Sequence, residues 1–363
     1  MNILIDIGHP AHVHYYRNLA RELERLNHKI FWSTKDIPVA RRLLDHFKFE
    51  YLLLPPKKDG LIWKAWMQLY YDWLLYRFCK KNKINLALGT SISITHISKI
   101  ANIKSLFFED DDDAVVPLSA KIGIPYATHL ISPNCLKGKQ KRKDTLYYPG
   151  YHELAYLHPK RFQPDRSVLH EAGLAEGEPY YIMRFNVFKA HHDLGISGLS
   201  LEQKLQLIKE LTPHGKIFIT TERDIEPELK EYQLKVSPEK IHSLMAYATL
   251  FLGDSQTMTS EAAMLGIPSL RCNSFAGRIS YLEEQEHRYG LTFGFLPKNF
   301  DKMLIKLRAL LASPNLRVLW QEKRDKMLSE KIDVTSFWCW FIENYPGSIV
   351  EVKNNAGLFN KFK

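Results

Sequence analysis

Short apolar runs alternate with helical patterns along almost the whole chain, and no other feature limits the fold as strongly. The first series reads NILIDIG, HYYRNLARELERL, KIFWST, ARRLLDHF, YLLL, a long helical segment from about Leu61 to Lys81, LALG, THISKIA, SLFFED and THLIS. Strands that alternate with helices pair in parallel, because a parallel partner needs a crossover long enough to hold a helix. A doubly wound α/β domain is therefore expected over residues 1–150. At YYPGYHELAYLHPKRFQPD the alternation stops, and Pro149, Gly150, Pro159 and Pro164 break any long element, so an interdomain linker is expected over 151–164. The alternation resumes with YYIMRF, SLEQKLQLIKEL, KIFITTE, ATLFLGD, a short helix after Gln256, and PSLR. That makes a second α/β domain over residues 165–332. The final stretch, 333–363, opens with a helix-start signal at Asp333 or Thr335, stops at Pro346 and leaves a tail expected to be loose.

Composition agrees with two domains. The chain has 363 residues, 45% of them hydrophobic, enough for a large core. Cys79, Cys135, Cys272 and Cys339 form no CxxC pair and no HExxH run occurs, which fits a reduced, cytoplasmic protein without a zinc site. MNILIDIG is a short apolar run without the basic start of a secretory signal, and no run of about eighteen apolar residues is present to span a membrane. The net charge of +10 favours anionic partners: a nucleotide, a phospholipid surface or nucleic acid. Without an RNA-recognition signature or zinc finger, nucleic acid is set aside.

The stretch FLGDSQTMTSEAAMLGIPSLR, residues 251–271, carries the clearest chemistry. Ligands bind beyond the carboxyl ends of strands in open α/β sheets, and the turn GDSQT stands at such an end. The helix that follows presents backbone N–H groups and a favourable dipole to an anion. Asp254, Ser255, Gln256 and Thr257 thus read as a phosphate seat, with hydroxyl donors from Ser255 and Thr257. Glu261 lies four residues after Thr257 on the same helical face, where a carboxylate can accept from the two hydroxyls of a ribose. The bland alternative makes Ser255 and Thr257 simple caps and Glu261 a solvated first-turn acid.

Ser255 followed six residues later by Glu261, then a small-residue helix ending in LGIP, resembles the nucleotide-binding loop of GT-B glycosyltransferases. It is similar to that of the N-acetylglucosaminyltransferase of lipid II synthesis and of UDP-N-acetylglucosamine 2-epimerase. A closer resemblance is to a prokaryotic GT-B-like family carried under a domain-of-unknown-function label, on IDIGHPAHVHYYRN, YPGYHELAYL, RFNVFKAHHD and GDSQTMTSEAAMLGIPSLRCNSFAGR. The resemblance implies a GT-B fold: two Rossmann-like domains facing across a cleft, with a C-terminal helix crossing back to the N-terminal domain.

Further candidates follow from position. In GHPAHVHYYRN, His9, His12 and His14 lie near a helix start, and a histidine there can titrate near neutrality as an acceptor-activating base must. His12 before Val13 matches, in position, the GGHV of the lipid II transferase, although the sequence has PAH where that enzyme has GGH. Polar capping is the alternative for all three. Arg184, after the apolar run YYIM, is placed to pair with a pyrophosphate; Asn186, Lys189, His191, His192 and Asp193 follow it. Glu222, after KIFITT, can end a strand at the same site or be an exposed turn acid. His242 lies in the segment that, by the resemblance, lines the base pocket. Arg278 can reach donor sugar or phosphate, or pair with Glu283. In the run Glu109 to Asp113, Asp110 and Asp111 are candidates for a base or for binding acceptor hydroxyls. A hard cation is the other use of such a cluster, but the resemblance implies no catalytic metal. The segment LIWKAWMQLYYDWLLYRFCKK has a narrow polar stripe of Lys64, Gln68 and Asp72; a crossover helix buried nearly all round is expected, with docking on anionic lipid the alternative.

Together these imply a glycosyltransferase that takes a nucleotide-sugar, by resemblance a UDP-sugar, as co-substrate. The acceptor expected is a glycan or lipid-linked hydroxyl in cell-envelope polysaccharide synthesis, with the protein cytoplasmic or peripheral on the membrane. The alternatives are a UDP-N-acetylhexosamine 2-epimerase-like enzyme and a non-catalytic nucleotide- or glycan-binding protein.

Overall fold

The computed structural model describes residues 1–56, 60–185, 198–221 and 225–363, apart from the side chains of 61 and 62. Two compact units result, one from Met1–Arg161 with Lys331–Lys363, the other from Phe162–Glu330. The strands of the first are β1 (Asn2–Ile7), β2 (Lys29–Lys35), β3 (Tyr51–Leu54), β4 (Leu86–Gly89), β5 (Lys104–Phe108), β6 (His129–Pro133) and β7 (Leu146–Tyr148). They form one parallel sheet in the order β3-β2-β1-β4-β5-β6-β7. Helices cover both faces of such a sheet, so its central strands read as unbroken apolar runs. Accordingly Ile3, Leu4, Ile5 and Ile7 of β1 are wholly buried.

The second unit holds β8 (Tyr180–Phe185), β9 (Lys216–Thr221), β10 (Leu250–Gly253), β11 (Ser269–Cys272) and β12 (Thr292–Phe295). These are also parallel, in the order β12-β11-β10-β8-β9. In each sheet the chain winds outward on one side of its first strand and then crosses to the other side. The reversal falls between β1 and β4 in the first unit and between β8 and β10 in the second. At such a switch point the flanking connections diverge and leave room for a ligand beyond the carboxyl ends of the strands.

A glycine ends the inner strand at both reversals. Gly89 pairs with Asp6 in register and has φ +147°; Gly253 pairs with Arg184 and has φ +148°. A Cβ on Gly89 would stand 2.8 Å from the carbonyl oxygen of Asp6, and one on Gly253 only 2.0 Å from that of Arg184. Only glycine allows this backbone conformation and this approach together.

Three expectations change. Residues 151–161 pack inside the first unit, with Leu154, Ala155, Tyr156 and Leu157 wholly buried, because the prolines only shorten the local elements and the residues between them are apolar. The tail is ordered by burial: a helix spans Gly347–Asn354, Leu358 and Phe362 are in the core, and the Phe362 ring meets Phe337. The helix Leu61–Lys81 is not buried all round. Tyr71, Asp72, Leu75 and Cys79 face inward, while Trp63, Trp66, Leu69, Tyr70 and Trp73 are exposed. Of the polar stripe, Lys64 stays exposed while Gln68 and Asp72 turn in: Gln68 donates to Asp72 at 2.8 Å and to Ser93 at 3.0 Å, and Asp72 lies 2.8 Å from His96 Nδ1. Pairing inside the protein removes the cost of burying those polar groups.

Candidate functional site

At the reversal of the second sheet, β10 delivers the chain through Gly253 into Asp254 and Ser255, and the helix Gln256–Met264 follows. The N–H of Asp254 donates to the Arg184 carbonyl at 3.1 Å, tying the turn to β8. Ser255 is the N-cap: its Oγ accepts from the N–H of Met258 at 3.3 Å. Asn273, just past β11, donates from its side chain to the Asp254 carbonyl at 2.7 Å and holds the turn from the other side. Gln256 and Thr257 are half-buried in the first turn, where backbone N–H groups lack intrahelical acceptors. The candidates Asp254, Ser255, Gln256 and Thr257 thus form one rigid turn with an electropositive helix end.

Glu261 is not a solvated acid. It is 4% exposed and its Oε1 lies 3.0 Å from Nε2 of His242, itself 3% exposed, on the helix Ile241–Tyr247. A buried carboxylate needs such a partner, and the pair couples the two candidates into one unit. Arg184, at the end of β8, donates from Nη1 to Thr220 Oγ1 at 3.0 Å and is half-buried. Arg278 is exposed and stacks over the Phe275 ring at 5.5 Å, while Glu283 accepts instead from the N–H of Gly277. Glu222 and the run Asn186, Lys189, His191, His192 and Asp193 lie outside the described residues.

In the first unit the helix Pro10–Arg25 starts beside the β1/β4 reversal. His9 is its N-cap, accepting from the N–H of Ala11 at 3.2 Å. His14 belongs to the core, stacked on Tyr156 at 5.4 Å. His12 stands at the reversal itself: the Gly8 N–H donates to its Nδ1 at 3.2 Å, and Thr90 Oγ1, from the loop after β4, lies 2.9 Å from Nε2. With Nδ1 accepting, the neutral ring carries its proton on Nε2. Below it, buried Asp6 accepts from Ser33 at 2.5 Å and from Ser91.

The acidic run after β5 separates into distinct states. Burial opposes ionisation of Asp110, but His152 and then His12 outweigh it and hold Asp110 below the usual carboxylate range. His152 is fully buried with Nδ1 3.2 Å from Asp110 Oδ2. Burial, then the charges of Asp110 and Asp112, push Asp111 up to about 7. Burial, then the neighbouring aspartates, raise Glu109 well above its usual value, even though its Oε1 accepts from the N–H groups of Asp110 and Asp111. One oxygen from each of Glu109, Asp110 and Asp111 lies within 4.8 Å of the others, a spacing that a hard cation would also accept. The structure therefore brings His12 and Asp110 together, adds His152, and sets Asp111 beside them as an acid able to exchange a proton near neutrality.

His152 and Thr90 were not singled out from the sequence. The signal for His152 was its place in YHELAYL, where proline-rich flanks suggested a connection rather than a core segment. Nothing local marks Thr90, whose role arises from strand order. An open pocket of about 630 Å³ lies at the opposite, amino-terminal edge of the second sheet, lined by Pro179, Tyr180, His214, Thr249 and Pro268. It is remote from the turn chemistry described above.

Two parallel α/β units of this kind define the fold shared by GT-B glycosyltransferases and UDP-N-acetylglucosamine 2-epimerases. Solved structures agree. The UDP-GlcNAc 2-epimerase of Methanocaldococcus jannaschii superposes with a TM-score of 0.60 at 13% identity, covering 86% of this chain and 94% of that one. S. aureus MnaA, solved with UDP, gives 0.65 at 12% identity over 96% and 98%. The Streptomyces sp. SF2575 glycosyltransferase SsfS6, complexed with thymidine diphosphate, gives 0.60 at 12% over 95% and 99%. The chain belongs to the family described as Protein of unknown function (DUF354), whose model matches residues 1–282. An uncharacterized protein of Methanocaldococcus jannaschii is 24% identical over 305 residues, 79% of this chain and 86% of its own length.

Proposed function

We propose that this protein is a nucleotide-sugar-dependent glycosyltransferase, with a UDP-sugar as donor and a glycan or lipid-linked hydroxyl as acceptor in envelope polysaccharide synthesis. One observation carries the reading: the Gly253–Ser255 turn presents a helix N-terminus at a sheet reversal, and Glu261 on that helix is buried against His242 of the helix Ile241–Tyr247. Backbone amides would hold the diphosphate, Glu261 the ribose, and the His242 segment the base. Arg184 would stabilise charge on the leaving diphosphate, and Arg278 would reach the donor sugar or phosphate; Glu222 is proposed from sequence alone. In the transfer the acceptor O–H gives its proton to the Asp110 or Asp111 carboxylate, while His12, whose Nδ1 already accepts from the Gly8 N–H, would position that hydroxyl through its Nε2–H. The acceptor oxygen bonds to the anomeric carbon and the nucleoside diphosphate leaves with the electrons of the broken C–O bond. Support comes from structural relatives solved with UDP and thymidine diphosphate.

One observation favours a second reading, a nucleotide-sugar 2-epimerase. Asp111, raised to about 7, is a carboxyl that can give and take a proton at neutral pH, as elimination and readdition require. Calorimetric titration of UDP, GDP, CMP and a UDP-sugar panel into wild type and Glu261→Ala tests the donor half. UDP binding that weakens in the variant is expected, and unchanged affinity removes Glu261 from the site. Incubating a bound UDP-sugar without acceptor separates the readings, because an epimerised product supports the second. Absence of binding by every nucleotide would leave a protein of this fold without the chemistry.

A further inference from the structure

We propose that the outward face of the Leu61–Lys81 helix docks on an anionic phospholipid bilayer, an interaction that does not depend on the nucleotide chemistry above. Trp63, Trp66, Tyr70, Trp73, Arg77 and Lys80 recur at three- and four-residue spacing and so form one line along the helix, about 25 Å long. Trp63 is 57% exposed, Trp66 66%, Tyr70 45% and Trp73 48%, with Leu69 beside them at 64%. Single exposed apolar side chains are ordinary, but five on one rigid face mark an interaction surface. The face cannot roll inward, because the opposite side is fixed by Asp72 against His96, by Gln68 against Ser93 and by the Tyr71 hydroxyl donating to the Pro55 carbonyl at 3.1 Å.

Charge identifies the partner. Asp72 is the helix's one acidic residue and is turned inward, whereas Lys64, Arg77, Lys80 and Lys81 are all exposed. Lys57, Lys58 and Asp59 precede it in the sequence. Arg77 lies over the Trp73 ring at 4.9 Å, which sets a cation at the end of the aromatic line. Aromatic rings at headgroup depth with flanking cations on lipid phosphates are the arrangement of an interfacial helix. A second copy of the chain fits worse, since it would bring two basic surfaces together in a protein of net charge +10. No helix among the described residues is long and apolar enough to cross a membrane, so the contact lies on the surface.

Cosedimentation with vesicles of phosphatidylcholine, with and without phosphatidylglycerol, at low and high salt tests this. Wild type is expected to pellet with the phosphatidylglycerol vesicles at low salt, with a blue shift of tryptophan emission. Trp63→Ser/Trp66→Ser/Trp73→Ser should lower binding at least about tenfold. Arg77→Glu/Lys80→Glu/Lys81→Glu should abolish the preference for phosphatidylglycerol. Should the triple tryptophan variant misfold, the single Trp66→Ser is read instead, with the same direction expected. Wild type remaining in the supernatant with phosphatidylglycerol at low salt overturns the proposal. So does undiminished binding by the folded tryptophan variants, or a concentration-dependent dimer in light scattering that Trp66→Ser dissolves. UDP titration of the same samples keeps a failure here distinct from a failure of the donor site.

Discussion

Gly253→Ala separates two costs that a glycine position usually combines. At φ +148° an added Cβ is strained in any surroundings, and here it would also stand 2.0 Å from the Arg184 carbonyl oxygen. Gly277 isolates the first cost, since its φ is +82° and an added Cβ would meet no heavy atom within 4 Å beyond its chain neighbours. Strain alone should cost Gly277→Ala about 1 kcal/mol. In Gly253→Ala the backbone of β8 and β10 must also part at the reversal, adding about 1 to 3 kcal/mol of overpacking or more. A unit of this size loses about 2 to 4 °C of melting temperature per kcal/mol. Gly277→Ala should therefore melt a few degrees below wild type, and Gly253→Ala about 2 to 12 °C further down. The displacement also moves the Asp254 N–H from the Arg184 carbonyl, so UDP affinity should fall with Gly253→Ala and persist with Gly277→Ala. Circular dichroism melts and calorimetry check both. If Gly253→Ala melts with Gly277→Ala and binds UDP normally, the argument that this close approach builds the site is wrong.

Three further perturbations have defined outcomes. His242→Ala removes the 3.0 Å hydrogen bond to Glu261 and should cost about 1.5 to 3 kcal/mol in urea unfolding, with weaker UDP binding by calorimetry. Truncation after Asn355 removes buried Leu358 and Phe362 and should destabilise the first unit by about 3 kcal/mol or more, read as a lower melting temperature. Asp111 keeps its proton in the native state up to about 7 against an ordinary 3.8, so the native protein binds the extra proton between those values. Its contribution to stability is full below that window and is lost as pH rises through about 7, and Asp111→Asn should flatten this slope in melts from pH 4 to 8.

Periodicity determined much of this protein by itself. Runs such as NILIDIG and ATLFLGD, with helices between them, require parallel βαβ units whatever packs around them, because buried parallel strands need apolar residues on both faces. The turn at Gly253 was also legible, since a glycine, a short polar turn and a helix-capping serine state their backbone chemistry locally. Tertiary structure decided whatever depends on residues distant in the chain. Glu261 became a buried, paired acid only when His242 arrived from another helix, and His152 met Asp110 only through strand order. The Leu61–Lys81 helix is apolar over most of its circumference, so local pattern could not tell which face is buried. Asp72 decided it by pairing with His96, which turned Asp72 and Gln68 inward and left the tryptophans outside.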